Sequence, residues 1–285
     1  MTITLRSGEI EDAGECGRIA YEAFKSIADQ HNFPPDFPSV EISTELMSML
    51  LSYNLFYAVV AELDGRIVGS NFLDERSIIA GIGPVSVDPE VMNQTIGRQL
   101  VQEVIDRAEV RRAPSVRLVQ TAYHYRSLSL YTKLGFNACE TLSAMQGRPL
   151  GVRIPGYDVR KATEADVEAC NRLCRAVHGH DRGGELLDAI QHETADVVEH
   201  LGRITGYATG IAWMSHAIGE TNEDLKALIC AAPAFLGPGF LVPTRNGDLM
   251  RWCLNNGLRI VVQATLMTIG IYKEPAGAYL PSMLY

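Results

Sequence analysis

Apolar residues at Ile10, Ala13, Cys16, Ile19, Ala23 and Ile27 recur every three or four positions, the spacing that lines one face of an α-helix. A short strand-like segment, Ile3–Arg6, precedes them. A second helical pattern covers Glu41–Ser52, and the β-rich runs Leu55–Glu62 and Arg66–Leu73 flank Asp64-Gly65, a dipeptide that suits a tight hairpin turn. Another strand is expected to end at Val85-Ser86-Val87. Beyond Asp88-Pro89-Glu90 the pattern predicts a helix from about Gln94 to Val110, a strand at Val116–Gln120, a helix near Arg126–Leu134 and a last strand from Phe136. The order βααβββαβαβ predicts an α/β sandwich with helices flanking a mixed sheet. Only the stretch around Asn32–Val40 carries no such pattern, and disorder is expected there alone.

The second half repeats this order in shorter form. Val159-Arg160-Lys161-Ala162-Thr163-Glu164-Ala165-Asp166 echoes Leu5-Arg6-Ser7-Gly8-Glu9-Ile10-Glu11-Asp12. Gly202-Arg203-Ile204-Thr205-Gly206 echoes Gly65-Arg66-Ile67-Val68-Gly69, and Asn256-Gly257-Leu258 more loosely echoes Leu134-Gly135-Phe136. The matches are collinear and draw closer together along the chain, so a duplicated fold with a shortened second copy is expected. Turn residues gather in Gly147–Gly151 and again at Pro155-Gly156, which sets the expected domains at 1–148 and 149–285.

Composition narrows the function. With 47% hydrophobic and 21% charged residues in 285, the chain has the makeup of a folded globular protein. A formal charge of −9 argues against nucleic acid as a partner, because phosphate contacts need clustered Lys and Arg; cationic amines are tolerated better. Neither a leader-like start nor a membrane-length apolar run is visible, so a cytoplasmic protein without a membrane partner is expected. Six scattered cysteines form no Cys-x-x-Cys pair and read as reduced, mostly buried thiols. His178-Gly179-His180-Asp181 offers imidazoles and a carboxylate, but no further ligand stands at a recognisable spacing, so no metal is expected. Gly237-Pro238-Gly239 lacks the Lys-Ser/Thr ending of a nucleotide loop, and Cys230 and Cys253 sit in apolar helical contexts unlike those of nucleophiles.

Two segments resemble the GNAT acetyltransferase superfamily. Val87-Asp88-Pro89-Glu90, followed by Ile96-Gly97-Arg98-Gln99-Leu100 opening a helix, resembles the segment that binds the pyrophosphate of coenzyme A. Where the family reads Gln/Arg-x-x-Gly-x-Gly/Ala, this chain has Met92-Asn93-Gln94-Thr95-Ile96-Gly97 and keeps only the last glycine. Unpaired amides and the positive end of a helix dipole attract an anion at such a place. Ser127-Leu128-Ser129-Leu130-Tyr131-Thr132-Lys133-Leu134-Gly135-Phe136 is similar to the family's Ala-x-x-x-Tyr-x-x-x-Gly-Phe helix, with His124 replacing the asparagine seven residues before the tyrosine.

The resemblance implies a mostly antiparallel sheet flanked by helices, duplicated here, with acetyl-CoA as cosubstrate. It implies that Tyr131 donates a proton to the departing thiolate, with His124 as its rival. Val85, Val87, Asn93, Gln94, Thr95, Ile96, Gly97, Arg98 and Ser127 are the implied acetyl-CoA contacts. An amine with pKa of ~10.4 is neutral in roughly one molecule in a few thousand at pH 7 and must be deprotonated; Glu62, His124 and Glu90 all remain candidates for that base. In the second copy only Glu220 separates the strand-like His216-Ala217-Ile218-Gly219 from Thr221, a helix cap, and Cys253 stands where the tyrosine would be, so that copy is expected to lack both features. The expected function is acetyl transfer from acetyl-CoA to a primary amine of a small molecule or protein. The alternative is a non-catalytic module that senses acyl-CoA or another metabolite. Acceptor identity and oligomeric state stay open.

Overall fold

The computed structural model describes residues 2–91 and 95–285, and among them the chain divides into two compact units. The first takes in the chain up to Leu118, together with Tyr123–Asn137 and Leu284. The second takes in Val119–Ala122, Ala138–Met283 and Tyr285. The turn-rich stretch from Gly147 to Gly156 therefore lies inside the second unit.

In the first unit β1 (Ile3–Ser7) pairs antiparallel with β2 (Phe56–Leu63), which forms a hairpin with β3 (Arg66–Asp74). Asp64 and Gly65 both take positive φ at the turn, as the dipeptide suggested. Helices α1 (Ala13–Gln30) and α2 (Val40–Ser52) cover one face of this sheet. They approach closely because Gly17 has no side chain: a Cβ there would lie 2.3 Å from Thr44 Oγ1. Cys16, Ala20, Met47, Leu50, Phe56, Ala58, Val60 and Phe72 form the core beneath them. Ile10, expected on the buried face of α1, instead lies in a preceding 3-10 turn and is 45% exposed.

The single strand expected to end at Val87 is broken in two. β4 (Ile79–Ile82) and β5 (Ser86–Val87) are separated by Gly83-Pro84-Val85, and both pair with β3. Proline has no amide to continue a ladder, which accounts for the interruption. α3 (Ile96–Val110) crosses this part of the sheet, with Asn71 Nδ2 donating to Leu100 O at 3.0 Å. β6 (Ser115–Thr121) runs parallel to β4, with Ile79 opposite Ser115 and Gly81 opposite Arg117, and leads into α4 (Tyr125–Lys133).

The second unit receives most of β7 (Asn137–Gln146) and then repeats the element order. It runs through β8 (Tyr157–Lys161), α5 (Val167–His178), α6 (Gly183–Gln191), β9 (Asp196–His200), β10 (Arg203–Ala208), β11 (Ala217–Gly219) and α7 (Asn222–Ala231). β12 (Phe240–Pro243), α8 (Gly247–Asn255), β13 (Arg259–Gly270) and β14 (Ala278–Leu280) follow. One sheet has the order β14-β11-β10-β9-β8 and is antiparallel throughout. β7 pairs antiparallel with β12, Met145 opposite Phe240 and Leu142 opposite Pro243.

The repeat extends to individual side chains. Arg6 donates to both carboxylate oxygens of Asp12 at 2.7 and 2.9 Å and to Glu62 at 2.7 Å. Arg160 donates to both oxygens of Asp166 at 2.8 Å and to Glu199 at 2.8 Å. Each unit thus ties its first strand to the turn opening its first helix and to its second strand with the same ion network. α5, α6 and α7 are shorter than α1, α2 and α3, which is where the second copy has lost residues. All six cysteines are free thiols, and all but Cys139 are buried. Among the described residues no helix is long and apolar enough to cross a membrane.

Candidate active site

The site is built in the first unit from β5, the start of α3 and α4. Asp88 N donates to Val68 O at 2.9 Å, and Ser86 stands opposite Ser70. Amides alternate in direction along an antiparallel ladder, so the backbone groups of Val85 and Val87 point away from β3. Among the described residues β5 pairs with β3 alone, so no strand takes up those outward groups.

Thr95 precedes α3 with φ 66 and ψ 0, the left-handed conformation that a β-branched residue rarely adopts. A glycine would take this conformation without that steric cost. No side chain caps α3, and its first turn carries no acid. Ile96 is buried, Gly97 is half-buried and Arg98 is exposed, with no acidic partner among the described residues. These amides and one guanidinium fit an anion such as pyrophosphate. Asn93 and Gln94, expected to contribute to the same loop, lie outside the described residues. A Cβ on Gly97 would stand 3.5 Å from Val87 Cγ2 and 3.8 Å from Leu130 Cδ2, so β5, α3 and α4 meet at this glycine.

The corresponding place in the second unit is built differently. Thr221 caps α7, and the Asp224 carboxylate accepts from Thr221 N at 2.8 Å and Oγ1 at 2.9 Å. Glu223 adds a further negative charge to that first turn. The amides of Thr221 and Asp224 are already engaged in this capping box, and the local charge repels phosphate. Cys253 is fully buried in α8, where burial raises its thiol to about 12.

α4 opens at His124 and ends at Gly135, whose φ of 97 allows Phe136 N to donate back to Tyr131 O at 3.0 Å. This closing turn sets the Phe136 ring edge-on against Tyr131, 6.0 Å between centroids. Tyr131 is only 8% exposed; burial pushes its phenol up to about 12, and a hydrogen bond with Ser127 opposes that shift. Ser127 Oγ also lies 2.7 Å from His124 Nδ1. Burial, assisted by Arg126 and then His31, lowers His124 to about 4. His124, Ser127 and Tyr131 therefore form a series on one face of α4, in which His124 and Ser127 share a hydrogen bond, the phenol keeps its proton and the imidazole is neutral at pH 7.

Neither carboxylate weighed as a base joins this series. Glu62 is held by Arg6 in the ion network, and Glu90 is 77% exposed by side chain, with Arg66 at 3.8 Å. No pattern along the chain announces the aromatic cover beside His124. Phe33 stacks on Tyr123 with centroids 4.4 Å apart, and His31 lies 5.4 Å from Tyr123 and 6.3 Å from Tyr125. The stretch expected to be disordered is thus anchored by rings. In the second unit His178 packs edge-on against Tyr279, and His180 Nε2 lies 3.2 Å from the Tyr285 hydroxyl. Both histidines are buried.

Residues 23–136 match the family model for the acetyltransferase (GNAT) family. Among curated proteins, none matches the sequence. A protein from Pyrococcus horikoshii assigned as an acetyltransferase superposes with a TM-score of 0.77 at 16% identity, covering 97% of this chain and 92% of the other. A GCN5-related N-acetyltransferase from Sphaerobacter thermophilus gives a TM-score of 0.64 at 16% identity over 95% and 96% of the two chains. A tandem GNAT protein from the clavulanic acid biosynthesis pathway gives 0.59 at 11% identity over 94% and 98%. These likenesses concern the fold along the whole chain, while the family match falls on the unit that holds Tyr131. The first unit is thus similar to a GNAT acetyltransferase domain over residues 23–136, within a fold that is similar, over almost the full length of the chain, to that of a tandem GNAT protein.

Proposed function

We propose that the first unit transfers an acetyl group from acetyl-CoA to a primary amine. The observation that carries this reading is the buried phenol of Tyr131, held protonated one turn after the hydrogen-bonded His124 and Ser127, beside a helix start that among the described residues has no side-chain cap and no acid. Val85 and Val87 would hold the extended part of the cosubstrate, and Thr95, Ile96, Gly97 and Arg98 its pyrophosphate. Bound acetyl-CoA supplies an activated thioester.

The chain's own residues position and protonate. Tyr131 keeps its proton on the phenolic oxygen through the physiological range and offers it to a sulfur that gains negative charge. A phenol near 12 is roughly 3 to 4 pK units weaker an acid than a thiol, so its contribution grows only as charge develops on the sulfur. His124 is too weak a base at about 4 to keep a proton taken from an ammonium; it accepts a hydrogen bond and lets the proton pass to solvent. The acceptor ammonium gives up two protons overall, one ending on the thiol and the other in solvent. Holding amine and thioester together accounts for much of the remaining acceleration.

A thiol-release assay with acetyl-CoA and a panel of amines, run beside calorimetry with CoA, tests the reading. Turnover with at least one amine is expected. CoA binding without turnover on any amine would favour the module that senses acyl-CoA, and absence of CoA binding would remove both readings.

A further inference from the structure

The second unit holds a cavity of about 700 Å³ between the end of β7 and the turn from α8 to β13. Gly147 brings these two stretches together: a Cβ there would stand 2.7 Å from Leu258 Cδ2 and 3.3 Å from Gly257 O. Arg148 follows on one stretch and Arg259 on the other, and both line the cavity. Pro149 and Leu150 give it an apolar wall, and Leu150 packs on the core of the unit. The amide side chains beside them are already engaged. Gln146 Nε2 donates to Phe235 O and Gly237 O, both at 2.9 Å, and its Oε1 accepts from Gly147 N at 2.8 Å. Asn256 Nδ2 donates to Trp252 O at 2.8 Å. The two guanidiniums are therefore the side-chain donors left to a ligand, and among the described lining residues there is no carboxylate.

The other arginines of this unit are built differently. Residues 138–283 contain ten arginines, and seven of them, Arg160, Arg172, Arg175, Arg182, Arg203, Arg245 and Arg251, are ion-paired. The remaining three, Arg148, Arg153 and Arg259, have neither an ion pair nor a hydrogen bond among the described residues. Arg153 lines a separate, smaller cavity together with Asp158, whereas the cavity of Arg148 and Arg259 sets two cations against no acid. In a chain of formal charge −9 such a local excess of positive charge attracts an anion. Both side chains are exposed, so a charged ligand can reach them. Two guanidinium forks match the oxygens of a phosphate dianion better than the single charge of a carboxylate. The volume exceeds that of phosphate by itself and suits a small organic molecule.

We propose that this cavity binds a small phosphate monoester, whose phosphate is held by Arg148 and Arg259 while its apolar body lies on Pro149 and Leu150. The site belongs to the second unit and is independent of the acetyl-transfer reading.

Calorimetry of the full chain with phenyl phosphate tests this, with saturating CoA present so that the proposed pyrophosphate site at α3 is filled. One phenyl phosphate per chain is expected, bound more weakly as NaCl is raised. Arg148→Gln and Arg259→Gln should each weaken binding about tenfold, and Arg148→Lys, which keeps the charge and loses the fork, should weaken it less. Thermal melts of these variants should match the wild type, because neither side chain has a partner in the fold. Benzoate, with one charge, should bind about tenfold more weakly than phenyl phosphate, and equal binding of the two would overturn the assignment to a dianion. Inorganic phosphate bound as tightly as phenyl phosphate would remove Pro149 and Leu150 from the site. Absence of phenyl phosphate binding, or binding unchanged in a folded protein carrying both Arg148→Gln and Arg259→Gln, would overturn the proposal. If CoA itself does not bind, the acetyl-transfer reading fails alone, and the arginine variants still decide on this cavity.

Discussion

At the scale of single residues, Thr95 and Tyr131 carry the sharpest consequences. A threonine at φ 66 costs about 1 kcal/mol that glycine avoids, although glycine returns part of it as chain entropy. Thr95→Gly is therefore expected to raise the melting temperature by about 2 °C and to keep or tighten CoA affinity. Calorimetry and thermal melts check both, and a weaker CoA complex would count against the loop assignment. Tyr131→Phe preserves the ring against Phe136 and removes the proton. Turnover should fall about 10²- to 10⁴-fold while CoA affinity stays within a few-fold, and unchanged turnover in the folded variant would take Tyr131 out of the mechanism. The pH profile should show no limb between 6 and 7, because His124 already titrates near 4, and Tyr131 should add no alkaline limb below about 10. Tyr131 was legible because Gly135-Phe136 marks the closing turn of its helix. The stacking of Phe33 on Tyr123 was not, since it is the fold that brings these rings together around an unpatterned segment.

At the scale of elements, the repeated ion network explains why strand and turn sequences match better than helices do. The Arg160 guanidinium first of all, helped by Thr163, holds the Asp166 carboxyl well below the usual carboxylate range; Arg6 does the same for Asp12. A depressed carboxyl contributes stability that is complete above its unfolded pKa of 3.8 and is lost as pH falls below it. Asp166→Asn should cost about 1 to 2 kcal/mol at pH 7, since Arg160 is partly exposed and screened. The difference between variant and wild type should shrink on acidification to pH 3. Melts at the two pH values check this, and a difference that persists at pH 3 would place the stabilisation elsewhere. The capping box at Thr221 and Asp224 could be read from spacing alone, whereas the division of β4 from β5 at Gly83-Pro84 and the left-handed Thr95 could not. Those features depend on what β3 and α3 require of their neighbours.

For the whole molecule, duplication of the fold does not duplicate the site. α7 begins with an engaged cap and two acids where, among the described residues, α3 begins with no side-chain cap and no acid, so calorimetry on the intact chain should give one CoA per chain. A stoichiometry of two would overturn this contrast. The two-copy organisation was legible from Arg6, Asp12 and Gly65 with their counterparts Arg160, Asp166 and Gly202. The passage between compact units at Asn137–Ala138 was not, because it depends on a pairing that no local pattern announces. β7 completes its ladder on β12, and the Ser143 and Thr244 hydroxyls that meet there at 2.9 Å are 101 residues apart. During translation at about 5–20 residues per second, β7 therefore waits roughly 5 to 20 s for its partner strand. Through that interval Leu142, Ala144 and Met145, all fully buried in the finished protein, form part of an unpaired strand that can template association between nascent chains. The hazard belongs to synthesis and ends when β12 and then β13 have taken their places on either side of β7.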